Sequence, residues 1–178
     1  LAFSATLVAI MASLPYLLSP IQVAIGSYSD RHPILKLYRT PYILVGLLLC
    51  VAGVIIAPQI AFLIADNFWF GLLAGLLAFG AWGMGYNLAA VSYLSLATEI
   101  SGEKGGGRTI AVMGFMMITG IILTAVTLSR LVDPYSPGAL QRAFWVVGGA
   151  ALLLGLVGLI RLEPRSDEKP KTNERYSW

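Results

Sequence analysis

TPYILVGLLLCVAGVIIAPQIAFLIA, residues 40–65, holds 26 residues and not one Asp, Glu, Lys or Arg. Wound as a helix at 1.5 Å per residue it is about 39 Å long, more than the roughly 30 Å hydrocarbon core of a bilayer. Pro41 falls in the first turn, where the missing N–H costs nothing. The stretch is predicted to cross a membrane, as a span over about 41–63. Working outward, residues 1–29, 67–98, 109–129 and 143–160 are free of charge as well. The five runs together take in 126 of 178 residues. They predict spans at about 1–27, 41–63, 68–96, 109–128 and 144–160, an all-α polytopic membrane helix bundle.

Composition agrees. The chain is 57% hydrophobic and 12% charged, with a mean hydropathy of +0.78. Soluble domains average about 25% charged residues, so a water-facing surface is out of reach here, and so is intrinsic disorder. The net charge of +3 does not indicate nucleic acid, because the basic residues flank the apolar runs, where they orient a chain in the membrane. Residues 1–19 do not read as a signal peptide, because no basic segment precedes them. One cysteine, Cys50, lies within a span, so no intrachain disulfide can form.

The connections set the topology. Lys and Arg number three in 30–39, two in 99–108 and five from Arg161 on, against none at 66–67 and two in 130–142. Ten on one face and two on the other predict that the ten-charge face and the tail 163–178 are cytoplasmic. The tail reads as a charged, disordered segment or linker. With Leu1 outside and already in an apolar run, one preceding helix is expected, giving six spans with both ends inside. Within the runs, Gly71 and Gly75 have the spacing of close helix packing. Segment 99–108 reads as a polar, flexible loop. Its glycines lack the Lys-Ser/Thr pair of a phosphate loop. Met113, Met116 and Met117 read as adaptable packing.

Six such helices make one half of a major facilitator transporter. Gly26, Asp30, Arg31 and Arg39, at the junction of the first two spans, resemble that superfamily's signature between its second and third helices. Longer strings are more specific: Leu14-Pro15, Pro20, Ser29-Asp30, His32-Pro33, Tyr38-Arg39-Thr40-Pro41-Tyr42, Tyr93 to Glu99, Arg108, and Asp133 to Pro137. They resemble the PucC branch, the bacteriochlorophyll delivery family, over nearly the whole chain to about Pro164. The resemblance implies a twelve-helix protein of which this chain holds most of the N-terminal half. It implies a part in (bacterio)chlorophyll delivery or light-harvesting complex assembly, with (bacterio)chlorophyll as cargo. The implied partners are lipid, a C-terminal six-helix half, and light-harvesting polypeptides or chlorophyll-synthesis enzymes. Other readings are a small-molecule transporter of the facilitator type and a non-transporting scaffold.

The resemblance further implies that Asp30 latches one conformation by meeting a helix N-terminus of the other half, where an anion is favoured. Arg31 and Arg39 would hold the loop, with Glu99 and Arg108 as cytoplasmic partners; Lys36 and Arg39 also read as plain orienting charges. Relatives often carry a basic residue near Gln22, so this chain departs there. Gln22, Trp82, Asn87, Ser92 and Tyr93 are the candidate lining for a substrate or pigment. For Gln22, Gln59 and Asn87 an interhelical hydrogen bond outranks magnesium ligation. The one histidine, His32, sits in a loop before Pro33, and no nucleophile–base pair or metal-ligand cluster is evident. Enzymatic activity is not expected.

Overall fold

The computed structural model describes residues 39–160 together with residues 10, 11, 13, 16, 17, 37 and 162. The predicted span 1–27, apart from five helical positions, and the tail 163–178 lie outside the described residues. Among the described residues four helices are long and apolar enough to cross a membrane: α1 (Thr40–Asp66), α2 (Phe68–Gly102), α3 (Gly105–Leu131) and α4 (Pro137–Leu159). They run alternately up and down. Gly46 of α1 meets Gly85 and Ala89 of α2 while Ile64 meets Gly71, and on the other flank Gly148 of α4 meets Ile55 while Gly155 meets Leu47.

Asn67 alone separates α1 from α2. Its backbone N–H donates to Leu63 O at the end of α1, and its side chain accepts from Phe70 N at 3.2 Å to cap α2. The polar Asp66-Asn67 pair thus serves as stop and start at once. The facing residues recur at intervals of three, four and seven. On α1 they are Gly46, Leu49, Gly53, Ile60 and Ile64; on α2 they are Gly71, Gly75, Trp82, Gly85 and Ala89. A 3.5-residue period keeps one stripe against its partner along the full length. In lipid the hydrophobic effect does not draw helices together, so small residues and van der Waals contact must do so. At Gly46 an added Cβ would lie 2.5 Å from Gly85 O and 2.7 Å from Ala89 N, so the backbones touch there. Met11 joins Ile60 and Ile64 in a buried cluster, with Leu72, Ala78 and Phe79 against it.

Two connections differ from the sequence reading. Segment 99–108 is not a ten-residue loop. Helical structure runs from Phe68 to Leu131 and is interrupted at Gly102, with φ 61° and ψ −178°. Charged residues at a span's end sit in the headgroup layer, so charge-free runs understate helix length. The second connection, 130–142, ends early because Ser136 caps α4, accepting from Ala139 N at 3.0 Å, with Pro137 in the first turn.

This early start brings Gln141 onto α4 opposite Gln59. With the Gln59 amide oriented by its surroundings, its oxygen accepts from Gln141 Nε2 at 3.0 Å and its nitrogen donates to Ile55 O and Ile56 O. These carbonyls lie in the turn that Pro58 interrupts. Such interhelical bonds average about 0.6 kcal/mol in a membrane protein. A double-mutant cycle of Gln59→Leu and Gln141→Leu, read by unfolding in detergent, is expected to give a coupling of that size; zero coupling would remove the bond.

Candidate functional site

Alternation of the helices gathers the start of α1, the end of α2, the start of α3 and the end of α4 at one end of the bundle. Arg39, Glu99 and Arg108 are there. Arg39 Nε lies 3.4 Å from Glu99 Oε2, tying α1 to α2, with the arginine 17% and the carboxylate 67% exposed. Open to solvent on one side, the pair is worth about 0–1 kcal/mol. Glu99→Gln, at the exposed end of the pair, is therefore expected to shift the unfolding free energy by less than about 1 kcal/mol. A much larger loss would show that the pair holds more than two helix ends.

Beyond Gly102 the chain reverses. Ser101 Oγ is hydrogen-bonded to Thr109 Oγ1 at 2.6 Å and to Ala97 O at 2.5 Å. In a straight helix eight residues would put 101 and 109 about 12 Å apart. The reversal leaves a cleft of about 400 Å³ between α2 and α3. Tyr93, Leu96 and Ala97 line it from α2; Arg108, Val112 and Met113 line it from α3. Ser101 and Thr109 bound its polar end, and Leu162 reaches it from beyond α4.

The structure disperses the candidate lining. Tyr93 and Arg108 share this cleft. Asn87 and Ser92 are each 1% exposed and do not line it. Ser92 continues the α1-facing register of α2, and its Oγ has no hydrogen-bond partner among the described residues. Trp82 packs on Gly53, meets Phe79 edge-to-face at 6.1 Å, and its carbonyl lies 3.8 Å from Cys50 Sγ. Gln22, Gly26, Asp30, Arg31, His32 and Lys36 lie outside the described residues. Ser101, Thr109 and Met113 were not singled out by the sequence as one site; the glycine run between two hydroxyl residues was the available signal. Among the described residues no three His, Cys, Asp or Glu side chains cluster for a metal.

Antiparallel apolar helices, with charge confined to their ends, define a multi-pass membrane protein. Residues 1–177 match the family described as PUCC protein, and the chain belongs to that family. Protein PucC of Rhodobacter capsulatus is 29% identical over 183 residues, covering 98% of this chain and 40% of that protein. Protein PucC of Cereibacter sphaeroides is 29% identical over 170 residues, covering 91% of the chain and 37% of that protein. The bacteriochlorophyll synthase 44.5 kDa chain of Rhodobacter capsulatus is 29% identical over 162 residues, 91% of this chain and 36% of that one. The chain thus spans about 40% of the length of the relatives it matches. No solved structure matches it with significance.

Proposed function

We propose that this chain takes part in bacteriochlorophyll delivery or light-harvesting complex assembly, as part of a longer membrane protein, by binding rather than by making covalent bonds. The observation that carries the reading is the family match across residues 1–177, with a bacteriochlorophyll synthase chain among the relatives. The geometry adds room for partners. Phe115, Met116, Met117, Ile121, Ile122 and Leu123 of α3 are all more than half exposed. A helix so uncovered has space for partner helices as well as lipid, and methionine adapts to either. The major facilitator architecture and the latch at Asp30 belong to the same proposal.

The test is a tagged, full-length protein purified from a phototroph in mild detergent, alongside a deletion strain. Co-purifying bacteriochlorophyll or antenna polypeptide, and a fall in antenna absorbance on deletion, is the expected result. Unchanged antenna levels with neither species bound would overturn the reading.

Orientation is the second element. The end holding Arg39, Glu99 and Arg108 is assigned to the cytoplasm by the excess of cations in the segments that meet there. In intact cells a membrane-impermeant thiol reagent is expected to label Ser136→Cys and to spare Gly106→Cys, each in a Cys50→Ala background. The opposite pattern would invert the topology.

A further inference from the structure

We propose that the cleft between α2 and α3 binds one anionic glycerophospholipid of the surrounding membrane, with its phosphate at Arg108 and an acyl chain between the helices. The inference does not depend on the assignment to pigment delivery. Its first support is shape: about 400 Å³ lies within the range of small-molecule sites, roughly 300–1,000 Å³. The cleft is also divided. Ser101, Thr109 and Arg108 stand at its outer end, while Leu96, Val112 and Met113 supply an apolar wall further in.

Charge is the second support. The exposed Arg108 side chain forms no ion pair or hydrogen bond among the described residues, whereas Glu99 is engaged by Arg39. Its guanidinium presents a planar fork of donors that matches a phosphate.

Position is the third. Arg108 immediately precedes the charge-free run 109–129. From Arg108 to Met113 the helix advances about 7.5 Å, from the level of headgroups to that of acyl chains. A free phosphate would use the arginine and leave the wall without an occupant. A lipid uses both.

The chain is purified in mild detergent, stripped of lipid, and offered equal amounts of phosphatidylglycerol and phosphatidylcholine, with retained lipid counted by native mass spectrometry. Wild type is expected to retain phosphatidylglycerol over phosphatidylcholine by roughly five- to tenfold, the contribution of one cation near an anionic headgroup. Arg108→Gln should reduce that ratio to about twofold or less with helix content unchanged, whereas Val112→Trp should lower retention of both lipids. Millimolar inorganic phosphate should not displace the lipid. A wild-type ratio in Arg108→Gln would overturn the proposal. Displacement by phosphate would also overturn it, leaving an anion site only. Lipid retention that appears only after residues 163–178 are removed would assign the cleft to the chain's own tail, and would equally overturn it.

Discussion

Gly46→Leu is expected to destabilise the bundle by on the order of 3 kcal/mol, the upper end of the usual cost of overpacking. Side chains can rotate away from an intruding methyl; backbone cannot. The atoms that a Cβ at Gly46 would meet are Gly85 O and Ala89 N, with Ala89 Cβ at 2.7 Å. Gly85 is itself against Leu49, so α2 cannot move toward relief without parting the rest of the seam. Even Gly46→Ala should cost about 1–3 kcal/mol. Gly80→Ala is the control: nothing lies within 4 Å of an added Cβ there, and the change should be near neutral. Trp82, on the same seam opposite Gly53, serves as a fluorescence reporter once Trp69, Trp145 and Trp178 are replaced by Phe. Unfolding in mixed micelles should show Gly46→Leu shifted and Gly80→Ala in place. Equal behaviour of the two would mean that α1 and α2 do not meet through Gly46.

The membrane character of the fold was legible because a charge in hydrocarbon is costly, and so each crossing leaves a gap in the charge pattern. Residues 40–65 differ from α1 by a single residue, Asp66, at its C-terminal end. Helix ends were less legible because the same rule stops applying in the headgroup layer. Glu99 is helical, and α2 continues to Gly102. The start of α4 was written in Ser136-Pro137, a cap followed by a first-turn proline, and treating 130–142 as a connection between charge-free runs passed over it.

The candidate site was legible in part. Arg39, Glu99 and Arg108 are drawn to one end because alternating helices return every second connection to the same side. Which polar residues of α2 share a space was not legible. Asn87, Ser92 and Tyr93 are close in sequence, but a helix turns 100° per residue, so consecutive positions 92 and 93 face different neighbours. Ser92 is buried and Tyr93 opens on the cleft. For α3 the sequence could not choose a face, since Phe115, Met116, Met117 and Ile118 are apolar all round and all exposed.

Replacing Gly102 should break the geometry of the cleft without unthreading the hairpin. A φ of 61° with ψ near 180° is a backbone state open essentially to glycine alone, and another residue held there costs about 1–3 kcal/mol. One escape is for residue 102 to become helical, making Phe68–Leu131 one rod. That would carry α3 out of the membrane. Exposing each of its many large apolar side chains to water costs roughly 1.5–3 kcal/mol, so together they exceed the strain several-fold. The hairpin must survive. The break should instead shift toward Gly105, Gly106 and Gly107, which lack a Cβ and so can adopt such a backbone state. Such a shift changes the register of α3 against α2 and parts Ser101 from Thr109. Cysteines placed at those two positions, in a Cys50→Ala background, should form a disulfide readily in the parent, because the hydroxyl oxygens are 2.6 Å apart. In Gly102→Val the cross-linking rate should fall by about tenfold or more, the kinetic equivalent of losing about 1.4 kcal/mol from that range. Gly106→Ala should leave the rate near that of the parent. Undiminished cross-linking in Gly102→Val would show that the reversal is held by the membrane and the helix contacts alone, with no part played by the backbone state of residue 102.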